Sequence, residues 1–172
     1  MDYKVQFRGL AEGKHHFEYN INDTFFEAFA ESEIKKGKLF VTVDLLKRST
    51  GMEVDFNISG FVVIQCDRCL DEFDKQIEYT GKLFFEYGDE TEEVSDELTV
   101  LSYGENYLNL DKYIYEFINL SLPIQKIHPD DENGNSTCNV EMLKKLDKYI
   151  INNQKDEIEE DPRWDKLRDL IN

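Results

Sequence analysis

From Leu39 to Tyr87 the chain alternates apolar and polar side chains, broken at Ser49-Thr50-Gly51 and at Cys66-Asp67-Arg68-Cys69-Leu70. A period of two places successive side chains on opposite faces of a strand, so each uninterrupted run predicts one half-buried strand. In the first run Leu39, Val41, Val43 and Leu45 point one way while Thr42 and Asp44 point the other. In the second, Met52, Val54, Phe56, Ile58, Val62 and Ile64 oppose Glu53, Asp55, Asn57, Ser59 and Gln65, with Gly60 marking a bulge or bend. In the third, Phe73, Ile77, Tyr79, Leu83, Phe85 and Tyr87 oppose Asp74, Gln76, Glu78, Lys82 and Glu86. Three long strands joined by tight connections predict an antiparallel meander with one core face. The pattern leaves open whether that sheet stays flat or curls into a partly open barrel.

The flanking segments supply the cover. Residues 3–7 and 15–20 read as an opening pair of strands separated by Gly9 and Gly13, and Thr24-x-x-Glu27 is a capping-box pattern predicting a helix at about 24–32. Lys35-Lys36-Gly37-Lys38 then reads as a basic turn. Further on, Leu98-Thr99-Val100-Leu101 predicts a short strand, and Asp111 caps a helix whose stripe is Tyr113, Ile114, Phe117, Ile118 and Leu120. Residues 128–138 are rich in turn formers, and a helix at about 140–152 follows with Val140, Leu143, Leu146 and Ile150 inward. Asp161-Pro162-Arg163-Trp164 is a helix start, with Trp164, Leu167 and Ile171 on one face. The expected fold is α+β, a meander or partly open barrel covered by helices. One domain over 1–152 carries an acidic loop at 86–106, and 153–172 form an acidic linker and C-terminal helix.

Charge narrows the function. Against 20 basic side chains stand 37 acidic ones, a formal net charge of −17 that repels polyphosphate and attracts basic proteins. Residues 83–111 hold nine Asp or Glu and no Lys or Arg. They read either as a solvated loop or as a docking arm for a basic partner, with Glu90, Glu92, Glu93 and Asp96 at its centre. Screening confines exposed charges to about 8 Å at physiological salt, so local basic spots at Lys35, Lys36, Lys38, Lys47, Arg48 and Arg68, helped by stacking aromatics, also allow contact with unpaired RNA bases. The N-terminus has no basic-then-apolar leader and no run reaches membrane-spanning length, so a cytoplasmic protein without a membrane partner is expected.

The Cys66-x-x-Cys69 spacing is that of half a zinc site, because two intervening residues let both thiolates reach one tetrahedral ion. Counting in twos puts Cys66 on the face of Ile64 and Cys69 on that of Phe73, so both sulfurs sit at one end of the buried face. Downstream, His128 and Cys138 are the candidate ligands, although nine residues separate them and no glycine follows Cys69 to relax the turn. The expectation is a set of reduced, partly buried thiols with no cofactor, with zinc as the alternative. Redox chemistry wants the first thiol at a helix N-terminus, and this pair lies between strands. His15 and His16 face opposite sides of a strand and make neither a metal pair nor a dyad. Carboxylates are numerous enough for a metal-dependent nuclease but cluster in loops and linkers, and no phosphate-binding, dinucleotide or metalloprotease motif occurs. An enzyme with a small-molecule substrate is not expected.

The order of these elements resembles the YceD family. The resemblance rests on Val63-Ile64-Gln65-Cys66-Asp67-Arg68-Cys69-Leu70, on Leu110-Asp111 opening a helix that ends in Ser121-Leu122-Pro123-Ile124, and on Asp161-Pro162-Arg163-Trp164. It spans roughly residues 38–172. Membership implies a non-catalytic role in accumulation of large-subunit ribosomal RNA, and a frequent genomic association with a small ribosomal protein of that subunit. It also implies a zinc site completed by a second cysteine group just after Leu-Pro-Ile. Here that region reads Gln125-Lys126-Ile127-His128, followed by Cys138 alone. The combined expectation is an acidic assembly factor that holds a basic ribosomal protein, or that touches large-subunit precursor RNA. The alternative is an acidic interaction module unrelated to ribosomes.

Overall fold

A computed structural model describes residues 3–149. The alternating runs become strands β3 (Lys36–Arg48), β4 (Gly51–Gln65) and β5 (Glu72–Gly88), and β2 (Gly13–Ile21) pairs with β3 to extend the antiparallel meander. The remaining strands are β1 (Lys4–Val5), β6 (Glu92–Glu93), β7 (Leu98–Ser102) and β8 (Leu108–Asn109); the helices are α1 (Asp23–Glu27), α2 (Asp111–Leu120) and α3 (Val140–Tyr149). The main sheet has the order β2-β3-β4-β5-β7-β6, and β1 pairs with β8 in a separate two-stranded sheet. The fold is α+β, with an open mixed sheet in place of a barrel.

Period two set the faces as expected. Leu39, Val41, Val43 and Leu45 of β3, Val54, Phe56 and Ile58 of β4, and Ile77, Leu83 and Phe85 of β5 are all buried. Over this face lie the turn at Phe7–Gly9, α1 through Phe25 and Phe26, and α2 through Ile114, Phe117 and Ile118. Gly81 of β5 makes room for α2: a Cβ there would lie 2.7 Å from the Phe117 ring. That ring meets Phe56 edge-on at 5.2 Å and Tyr79 at 5.3 Å, so one missing side chain seats the helix on the sheet.

Several local expectations are corrected. The first strand does not pair with the second, because β1 joins β8 instead. Pairing between β5 and β7 is parallel: residues 89–97 run back along the edge as β6, and β7 enters between β5 and β6. The acidic segment thus contributes two strands to the sheet. The capping box does not form; α1 is capped by Asn22 without a side-chain bond, Thr24 Oγ1 donates to Asn22 Oδ1 at 2.6 Å, and the helix ends at Glu27. Lys36 and Lys38 belong to the start of β3 and not to a turn. Gly60 makes no bulge, since the register with β3 and β5 runs through it unbroken. Its φ of 138° and a would-be Cβ 2.3 Å from the Lys38 carbonyl oxygen explain the glycine as a close strand approach. Leu120 points outward, 68% exposed. On α3 the inward pair is Met142 and Leu143, with Val140 and Leu146 exposed.

Candidate metal centre

Between β4 and β5 the chain makes a knuckle. The Leu70 amide donates to the Cys66 carbonyl at 2.9 Å and the Cys66 amide donates to the Asp71 carbonyl at 2.9 Å, which turns both thiols toward the buried side. Leu70 takes a φ of 65°, the left-handed conformation that a glycine would adopt without strain. Cys66 and Cys69 are 0% and 1% exposed.

Two carboxylates in the knuckle bring the distant segments in. Asp67 grips the stretch before His128 twice: its amide donates to the Lys126 carbonyl at 2.7 Å, and its Oδ2 accepts from the Lys126 amide at 2.7 Å. Asp71 Oδ2 accepts from Asn139 Nδ2 at 3.0 Å, beside Cys138. Asn139 in turn starts α3, its Oδ1 accepting from the amides of Glu141 and Met142. Asp67 and Asp71 were missed by sequence reasoning; their positions inside the Cys-x-x-Cys and two residues after it were the available signal.

The nine-residue separation of His128 from Cys138 is absorbed by a closed loop. Asp131 Oδ1 accepts from the amides of Asn133 and Asn135 at 2.9 and 2.8 Å, and Thr137 Oγ1 donates to the Pro129 carbonyl at 2.6 Å. These bonds double the loop back, and those from Asn135, foremost, and Asn133 hold the Asp131 carboxyl below its usual value.

The result is a compact set of donors. Cys66 Sγ lies 3.7 Å from Cys138 Sγ, and His128 Nδ1 lies 3.4 Å from Cys69 Sγ and 3.8 Å from Cys138 Sγ. All four ligand atoms fall within 4.8 Å of one another. Tetrahedral ligands about 2.3 Å from zinc are themselves about 3.7 Å apart, so the spacing fits a Cys3His site. Burial pushes the Cys66 thiol up, but the amides of Cys69, Arg68 and His128, with the His128 ring, outweigh it and bring the thiol down to about 6. For Cys138 a hydrogen bond with Ser136 works downward, yet burial and the neighbouring thiols raise it overall. Cys66 is therefore the first of this pair to become a thiolate, the form that binds metal. Phe73, Ile127, Met142 and Leu143 pack around the group, and the His128 ring lies 4.6 Å from that of Phe73.

Other predicted residues lie apart from this centre. Glu92 and Glu93 form β6, the exposed edge of the sheet, with Glu90 and Asp96 exposed on either side. Lys112 pairs with Glu93 and, at 3.9 Å, with Glu116. Lys36 pairs with Glu72 at 3.3 Å, while Lys35, Lys38 and Arg68 are exposed. Lys47 is committed inward, donating to the carbonyls of Phe7 and Leu10, and Arg48 lies 3.7 Å from Glu53. Asp161, Pro162, Arg163 and Trp164 lie outside the described residues. Among the described residues no helix is long and apolar enough to cross a membrane.

The family model described as large ribosomal RNA subunit accumulation protein YceD matches residues 54–171. Searches of the curated proteins and of the solved structures found no significant match.

Proposed function

The chain belongs to the YceD family, and from that premise we propose that it is a non-catalytic factor that holds a basic ribosomal protein while large-subunit ribosomal RNA accumulates. The family's description carries the ribosomal RNA role. The observation that carries the choice of client is the acidic edge: nine carboxylates and no cation over 83–111, of which Glu92 and Glu93 lie on β6 at the rim of the sheet. Held on a sheet, Glu92 presents a fixed carboxylate beside Glu93, which Lys112 pairs, and with Glu90 and Asp96 exposed on either side this edge favours a cationic partner and speeds its encounter. We assign zinc to Cys66, Cys69, His128 and Cys138. Four protein donors leave no open coordination position, so the ion would supply a cross-link rather than a reactive water.

Depletion of the protein in its own host is the test, read as the ratio of large-subunit to small-subunit ribosomal RNA. A selective fall is expected, reversed by the natural chain and not by one carrying Glu90→Gln, Glu92→Gln, Glu93→Gln and Asp96→Asn together. An unchanged ratio after confirmed depletion would overturn the ribosomal role. Full rescue by the neutralised chain would overturn the acidic edge while leaving that role standing.

A further inference from the structure

The solvent face of the sheet carries a second surface, diagonally across from the acidic edge. The register sets Lys36 opposite Val63, Lys38 opposite Phe61 and Asn20 opposite Phe40, all at the knuckle end of β2, β3 and β4. β6 lies at the far edge of the same sheet, and its neighbour β7 pairs with the opposite end of β5. Where β2 passes into α1, a recess of about 690 Å³ opens, with Phe61 and Val63 as apolar wall and Asn20, Asn22, Lys36 and Lys38 around it.

The chemistry of this recess differs from the rest of the chain. Phe40, beside it on the same face, is 39% exposed, an aromatic surface left open to water while Phe56 and Phe85 on the core face are buried. Lys38 is exposed and has no ion pair among the described residues, and Lys35 is exposed next to it. The one carboxylate lining the recess, Asp23, is occupied through Oδ1 by the Gly37 amide at 2.9 Å. Asn22 accepts from Thr24 through Oδ1, which leaves its amide nitrogen free to donate. An aromatic wall, the Lys38 ammonium beside that of Lys36, which a phosphate would share with Glu72 at 3.3 Å, and unspent amides are the complement of a base, its flanking phosphates and its polar edge.

We infer that this recess binds an unpaired nucleotide within single-stranded RNA, the base stacking on Phe61, the phosphates meeting Lys36 and Lys38, and the amides of Asn20 and Asn22 facing the base edge. A duplex offers no open base face to the ring. The site does not depend on the acidic edge, and it would put RNA and a basic client at opposite corners of one sheet.

Fluorescence anisotropy of the full chain with a labelled single-stranded RNA, against a duplex of equal length and a free mononucleotide, tests this. At about 50 mM salt the single strand is expected to bind best, with a log–log salt slope near −1.4 for two neutralised phosphates. Phe61→Leu keeps the half-buried apolar wall and removes the ring, and is expected to weaken binding roughly tenfold. Lys38→Ala, on an exposed side chain, is expected to flatten the slope by about 0.7 with an unchanged melting temperature. No binding at low salt, equal affinity for the duplex or the mononucleotide, or binding indifferent to both substitutions would each overturn the assignment.

Discussion

Cys66 and Cys138 are separated by 72 positions in the chain, yet their sulfurs lie 3.7 Å apart. Both are free thiols, and the contact joins the β4–β5 knuckle to the start of α3. If zinc holds the four donors together, the purified protein contains one equivalent of zinc by elemental analysis, and Cys138→Ser removes it. Chelation is then expected to lower the melting temperature by more than about 5 °C, given that 1 kcal/mol corresponds to about 2–4 °C at this size. Asp67→Ala, which leaves every ligand in place and releases only the Lys126 segment, is expected to weaken zinc binding about tenfold in a competition titration. A metal-free protein with an unaltered melting curve would refute this.

Leu70 occupies a left-handed conformation with its side chain 55% exposed, so it pays a backbone penalty without much packing in return. Leu70→Gly is expected to leave stability unchanged or raise it by up to about 1 kcal/mol in urea unfolding, whereas most substitutions to glycine destabilise. A loss of more than about 1 kcal/mol would show that the Leu70 side chain carries packing not evident from its exposure.

Gly81 and Phe117 form one packing unit, and the two residues fail in different ways. Gly81→Ala drives a Cβ into the ring and is expected to cost about 1–3 kcal/mol by lifting α2. Phe117→Ala leaves a cavity over Phe56 and Tyr79 and is expected to cost about 3–5 kcal/mol. Once Phe117 is truncated, Gly81→Ala should cost far less than it does alone, a coupling that a double-mutant cycle measures.

His16 donates through Nδ1 to Asp44 Oδ1 at 2.7 Å and, once the ring is protonated, through Nε2 to Glu18 Oε1 at 3.3 Å, and Asp44 foremost raises its pKa above the ordinary histidine value. A raised folded-state value means that the protonated ring stabilises the fold. That contribution is complete below about pH 6.5 and fades as pH rises through the elevated value. An NMR titration of the imidazole should place its midpoint above about 6.5, and Asp44→Asn should bring it down. The difference in stability between the natural chain and this variant should be larger at low pH than at high pH.

Much of the sheet could be read directly from the chain, and the centre only in part. Alternation told which side of β3, β4 and β5 faces the core because burial follows the pleat, and the same count put Cys66 and Cys69 on that side. It could not tell which strand neighbours which. The parallel entry of β7 beside β5 depends on how residues 89–97 turn, and nothing in a period of two encodes that. The convergence of His128 and Cys138 was hidden for a similar reason. Spacing along the chain argued against them, whereas the Asp131 carboxylate closes their loop and Asp67 and Asp71 anchor its two sides, contacts that appear only in three dimensions. Lys47 shows the reverse error, since a cation that looked available for a partner is used to hold the carbonyls of Phe7 and Leu10.

The paired glutamates of β6 have a consequence for the molecule in a crowded solution. A sheet with long, regular central strands invites another chain to add itself at the rim, the first step toward fibrils. Here the last strand on one side is two residues long, and both are carboxylates. A second copy approaching that rim would meet its own like charge and almost no backbone to pair with, so growth of the sheet stops at Glu92 and Glu93.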